Sequence, residues 1–204
     1  MLRNTILHIK AGIIVFCVML TSCDVFPTRT PEPPLNSNTN YSPASSYSVV
    51  LENFTKSVNY ADYNNYSKCF ASRTNGNVSE FEFLPSGSIS GIYPSVFVAW
   101  GLNAESRNFK SIISALKPET KPVVVISNTK IDNYSIDSVV VSGEYSLSIE
   151  LKERVGVSFY SGTIYLNMYR ENDGLWYINK WIDIDTKNDS IAQSWSLLKA
   201  NFAN

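Results

Sequence analysis

Between Ile136 and Asp185 the chain passes through three long stretches that alternate apolar with polar residues, joined by short turns. Ile136–Leu151 carries Val139-Val140-Val141, then Tyr145, Leu147, Ile149 and Leu151 against Glu144, Ser146, Ser148 and Glu150. Val157–Arg170 sets Ile164, Leu166 and Met168 against Tyr165, Asn167 and Tyr169. A period of two is the signature of a strand with one buried face, and Asp173-Gly174 is the dipeptide of a tight hairpin. Leu175–Asp185 then returns, with Trp176, Ile178, Ile182 and Ile184 read on one side. Long strands joined by short turns predict an antiparallel sheet, and everything before them has to cover its apolar face.

The preceding segments supply helices. Val50, Phe54, Val58 and Ala61 recur at helical spacing within 47–61, with Ser45 or Ser46 as N-cap. Asp62 is placed to cap a second, shorter helix that bears Tyr63, Tyr66 and Phe70. Phe81–Pro85 reads as a short edge strand. Phe109, Ile112, Ile113 and Leu116 form a third helical stripe, with Asn103 as its expected cap and Pro118 and Pro122 beyond its end. Val123–Ser127 reads as a buried β-branched strand, and Trp195, Leu198 and Phe202 as a short closing helix within 191–202. The class expected is α+β, one domain over 47–204.

The N-terminus has a different character. Met1–Lys10 carries Arg3 and Lys10 and no acid; Ala11–Leu20 is uncharged and mostly apolar. Ten helical residues rise about 15 Å, half a bilayer's hydrocarbon, so the segment reads as a signal peptide and not as a span. Its last residues, Leu20-Thr21-Ser22-Cys23, resemble the lipobox of bacterial lipoproteins. That resemblance implies cleavage between Ser22 and Cys23, with Cys23 acylated (diacylglyceryl and palmitate chains) as the mature N-terminus, and a place in the cell envelope facing the periplasm or the exterior. The domains expected are therefore a signal peptide over 1–22, a lipidated cysteine and tether over 23–46, and the α+β domain. Asp24–Ser46 holds five prolines among Ser, Thr and Asn. Such a composition cannot bury enough surface to order itself, and at about 3 Å per residue it reaches up to roughly 70 Å. A docking peptide at Pro31-Glu32-Pro33-Pro34 is the functional alternative to a spacer.

Removing the leader changes the chemistry available. Of 17 Lys and Arg, Arg3 and Lys10 are lost, leaving 15 against 18 acids and a net charge of −3. An acidic chain without a basic stripe argues against nucleic acid as a partner. The single histidine, His8, also leaves, which excludes histidine-based nucleophilic catalysis and histidine metal ligands. Cys17 goes with the leader and Cys23 to lipid, so Cys69 stands alone, expected as a small buried hydrophobe. Asp183–Asp189 alternates oxygens but lacks the central Gly and distal Glu of a calcium loop, so no metal is expected. Asn-x-Ser/Thr triplets begin at Asn53, Asn65 and Asn77 and are read as compositional. Trp100, Trp176, Trp181 and Trp195 are expected in the core.

Helix, helix, small strand, helix and a long meander resemble the nuclear-transport-factor-2-like cone of ketosteroid isomerase and SnoaL-type proteins. The run from Cys23 through Phe26-Pro27-Thr28-Arg29-Thr30-Pro31-Glu32-Pro33-Pro34 is similar to a group of uncharacterised bacterial lipoproteins with an F-P-T-R-x-P-E-x-P tether; Gly174–Asp183 and Trp195–Lys199 are similar to their last strand and C-terminal turn. The resemblance implies a bent sheet wrapping helices around a pocket. An isomerase-like site there needs a carboxylate in an apolar setting and a tyrosine as donor. Asp137, Glu144, Glu150, Asp183 and Asp185, with Tyr160, Tyr165 and Tyr177, are the strand-borne candidates, and the alternation puts these acids on the wet face. No catalytic residue and no cofactor are assigned. The function expected is a non-catalytic binding or assembly module held to membrane lipid through Cys23, with an envelope protein or a second copy as partner. The alternative is a metal-free isomerase or dehydratase. A cone filled by its own tryptophans favours the module; an apolar cavity enclosing a carboxylate and a tyrosine hydroxyl favours the enzyme.

Overall fold

The computed structural model describes residues 41–185 and 193–203. The lipobox Leu20, Thr21, Ser22 and Cys23, most of the tether and residues 186–189 of the acidic loop lie outside them.

Helix α1 spans Tyr47–Asn59, and the Ser46 hydroxyl accepts from the Val49 N–H at its start. Val50, Asn53, Phe54, Ser57 and Val58 form its buried face, the i, i+3, i+4 spacing that lays one stripe against a sheet. Before it, Ser42 exchanges two hydrogen bonds with the Asn53 side chain and Ala44 accepts from the Trp176 N–H, so residues 42–44 lie on the domain. Helix α2, Tyr63–Ser67, begins where Asp62 accepts from the Asn65 N–H, as expected, but stops short of Phe70, whose segment bridges β5 instead.

Strand β1 (Glu82–Leu84) is an edge strand, and short helix α3 (Gly87–Ile92) follows it unforeseen. Helix α4 covers Leu102–Ser114. Its cap is Gly101, not Asn103, which sits inside the first turn, and it ends at Ala115 ahead of both prolines.

Strands β2 (Val123–Tyr134), β3 (Ser138–Glu150), β4 (Val157–Arg170) and β5 (Trp176–Ile184) form the antiparallel meander, and β1 joins β5 in parallel: order β1-β5-β4-β3-β2. Glu171, Asn172, Asp173 and Gly174 close the β4–β5 hairpin, with Gly174 at φ 78°. Strand β2 corrects an expectation. It is an edge, its sole fully buried side chain is Val124, and Val123 and Val125 are exposed. A β-branched run here reflects strand propensity rather than burial. Helix α5, Trp195–Asn201, closes the fold, with the Ser194 hydroxyl accepting from the Leu197 N–H.

The second correction lies on β5. Met168 pairs with Ile178, but Asn167 pairs with Lys180, so Asn179 is an extra residue on β5. A one-residue bulge inverts the inside–outside alternation beyond it. Trp176 and Ile178 therefore share the buried face with Trp181 and Asp183, while Ile182 and Ile184 turn outward. Asp183, expected in water, is in the core. All four tryptophans and Cys69 are buried, as expected.

Candidate functional site

The bulge delivers Asp183 into the space between the sheet and α5, at 0 % exposure. Tyr145 reaches it from β3 because the residue opposite on β4 is Gly162: a Cβ there would come within 2.8 Å of the Tyr145 hydroxyl and 2.5 Å of the Ile184 carbonyl. The Tyr145 hydroxyl donates to Asp183 Oδ1 at 2.7 Å and accepts from the Trp195 N–H at 2.7 Å. Asp183 Oδ2 accepts from the Ser196 N–H at 2.7 Å and from its hydroxyl at 2.5 Å. These are the first N–H groups of α5, where the helix dipole favours a carboxylate. Burial pushes the Asp183 carboxyl above its ordinary range, against the pull of its donors and of the Lys199 charge. Burial, then the neighbouring Asp183, pushes the Tyr145 hydroxyl up as well.

A second cluster adjoins it. Glu105 on α4 and Lys199 on α5 form an ion pair, each 1 % exposed. The Tyr66 hydroxyl donates to Glu105 Oε1 at 2.5 Å and the Trp100 indole N–H to Oε2 at 2.7 Å. The Lys199 ammonium lies 4.0 Å from the Trp181 ring centroid, 4.3 Å from that of Phe83 and 5.9 Å from that of Trp100. It is an aromatic cage whose guest is the protein's own lysine. Burial lowers the Lys199 pKa, and Glu105 pulls it back up. Burial and Glu105 hold the Tyr66 hydroxyl well above its usual value.

Aromatic rings occupy the space around both clusters. Trp181 and Trp195 meet edge to face with centroids 4.7 Å apart, and Phe54 packs against both at 5.3 and 5.8 Å. Tyr145 touches Trp195 at 5.4 Å. Surface grooves of about 750, 490 and 560 Å³ are present, and Asp183, Tyr145, Glu105 and Lys199 line none of the three. Carboxylate and hydroxyl thus stand together as acid–base chemistry asks, yet both carboxylate oxygens and the hydroxyl are engaged by protein groups and rings pack the surroundings.

The other strand acids are dispersed. Asp137 is exposed, Glu144 is exposed and accepts from the Asn128 amide, and Glu150 pairs with Lys117 at 3.4 Å. Asp185 accepts from the Ser88 hydroxyl. Tyr160 is buried and Tyr165 half-buried. Tyr177 donates to Asp173, and burial together with that contact raises its pKa to about 12. No group of three or more potential metal ligands occurs among the described residues. Sequence reasoning missed Glu105 and Lys199, although the signal was present. Glu105 lies four residues before Phe109 and Lys199 four after Trp195, each on the apolar face of its helix.

No protein-family model and no curated protein matches the sequence. Solved structures do match. A nuclear transport factor 2-like superfamily protein from Salmonella enterica aligns at 11 % identity with TM-score 0.52, over 72 % of this chain and 92 % of that one. A ketosteroid isomerase-like protein from Erwinia carotovora aligns at 10 % and 0.51, over 71 % and 97 %. The beta subunit of a benzoate 1,2-dioxygenase from Burkholderia mallei aligns at 13 % and 0.50, over 67 % and 86 %. At these identities the likeness concerns the fold, and the helices laid on a curved five-stranded sheet are those of the NTF2-like α+β cone.

Proposed function

We propose that this protein is a lipid-anchored bacterial envelope protein whose cone serves as a non-catalytic binding or assembly module. The observation that carries the non-catalytic part is the interior: tryptophans fill it, a lysine occupies its aromatic cage, and every oxygen of Asp183 is engaged by Tyr145 or Ser196. The anchor rests on Leu20-Thr21-Ser22-Cys23 following a charged and then apolar leader. Two or more acyl chains on Cys23 hold a protein at a bilayer where one does not. The partner is an envelope protein or a second copy, and the outer sheet face supports such an encounter: Val125, Phe159 and Ile184 are exposed there. Labelled palmitate is expected to enter the wild-type chain in cells and not Cys23→Ser, which then leaves the membrane fraction. An unlabelled wild type, or a variant that stays equally membrane-bound, overturns the anchor.

A second reading, a metal-free isomerase or dehydratase, is favoured by one observation, the 2.7 Å contact between the Tyr145 hydroxyl and Asp183. It requires the interior to open to substrate. A β,γ-unsaturated ketone followed by its conjugated-enone absorbance separates the readings. No turnover above buffer is expected, and turnover that Asp183→Asn abolishes would establish the enzyme.

A further inference from the structure

The largest of the three grooves lies outside the core, between the loop before α4, the outer side of α4 and the end of the chain, and measures about 750 Å³, within the range of small-molecule sites. Its lining divides by chemistry. Val96, Ala99, Trp100 and Phe202 give an apolar wall, and Val98 stands 74 % exposed at its edge. Arg107 and Lys110 supply the charge; no acid lines the groove, neither cation forms an ion pair among the described residues, and the Lys110 ammonium has only the Tyr63 ring, 5.8 Å to its centroid. Placed three apart on one helix face, the two cations repel each other, and an anion bound between them relieves that repulsion. On an acidic chain, an acid-free groove with two cations that lack a carboxylate partner is a local inversion of sign.

We propose that this groove binds an amphiphilic carboxylate of the fatty-acid type, its head between Arg107 and Lys110 and its chain along Val96, Ala99, Trp100 and Phe202. The site does not involve Asp183, meets the Glu105–Lys199 cluster only through the far side of Trp100 and the Asn108 backing, and does not depend on the anchor. The test is calorimetric titration of the mature chain, residues 23–204, made without its leader and therefore unacylated, with dodecanoate below its micelle concentration. One saturable site is expected. Arg107→Glu/Lys110→Glu is expected to weaken it at least tenfold without moving the thermal midpoint, since both side chains are exposed. 1-Dodecanol, with the same tail and no charge, is expected to bind at least tenfold more weakly than dodecanoate. Absence of saturable binding, undiminished affinity in the charge-reversed variant, or equal affinity for the alcohol overturns the proposal.

Discussion

Replacing Lys199 by Met isolates the charge at the centre of the fold, because methionine keeps most of the side chain's length and volume while deleting the ammonium. What remains is Glu105, 1 % exposed, with the Tyr66 hydroxyl and Trp100 indole N–H as its donors and no countercharge. Removing one partner of a buried pair costs about 3–5 kcal/mol, against a total of roughly 5–15 kcal/mol for a domain. Glu105→Gln is expected to cost a similar amount, since it strands the lysine in its cage. In the double variant neither charge is left, and the residual cost is about 1–3 kcal/mol for imperfectly matched hydrogen bonds. The double variant is therefore more stable than either single one, with a coupling of at least about 2 kcal/mol. Urea unfolding followed by tryptophan fluorescence reads this, with the slope against denaturant unchanged if the native state keeps its compactness. The pH dependence has a definite sign. Burial lowers the Lys199 pKa in the folded chain. Its penalty is thus fully present below that lowered value and is relieved as pH rises through it toward the ordinary lysine value of about 10.4. Wild type gains on Lys199→Met across that interval. A single-variant cost below about 1 kcal/mol with an additive double variant would refute the buried pair.

Four further outcomes follow from the same contacts. Asp183→Asn sets an amide N–H against the Ser196 donors or the Tyr145 hydroxyl and is expected to cost about 1–3 kcal/mol in urea unfolding at neutral pH. Because the Asp183 pKa is raised, its protonation stabilises the fold below the ordinary value of about 3.9, and that contribution is lost as pH rises through the folded value; the gap between wild type and Asp183→Asn widens in acid. Gly162→Ala drives a methyl into the Ile184 carbonyl and the Tyr145 hydroxyl and is expected to cost about 1–3 kcal/mol, with a disturbed near-ultraviolet tyrosine signal. Asp62→Ala removes the cap of α2 and is expected to cost about 1 kcal/mol, read as a lower thermal midpoint.

Apart from the short α3, the order of helices and strands was legible in the sequence because each depends on local periodicity. The α1 stripe, the Asp62 cap, the Asp173-Gly174 turn and the alternation in β3 and β4 all appear in the structure as read. Long-range geometry was not. The bulge at Asn179 is a property of the β4–β5 pairing, and nothing in β5 alone says that alternation inverts there; hence Asp183 was read as solvated when it is the most buried acid among the described residues. Edge position likewise decides burial in β2, whose valines read the same in either setting. Glu105 and Lys199 stood at apolar helical positions, yet a charge at such a position is legible as buried once its partner on another helix is known. The tryptophans needed no such knowledge, since their large apolar surface favours the inside on average.

The cone is filled by its own side chains, and Lys199 reports on that filling directly. A lysine of lowered pKa in an open pocket is the most reactive amine on a protein, whereas the same lysine packed against Trp181, Phe83 and Glu105 is inaccessible. Brief acetylation of the native chain at neutral pH, mapped by mass spectrometry, is expected to modify exposed Lys110 and Lys117 and to leave Lys199 untouched until the protein is unfolded. Labelling of Lys199 at or above the rate of those surface lysines in the native state would mean that the interior is open to solvent and not filled.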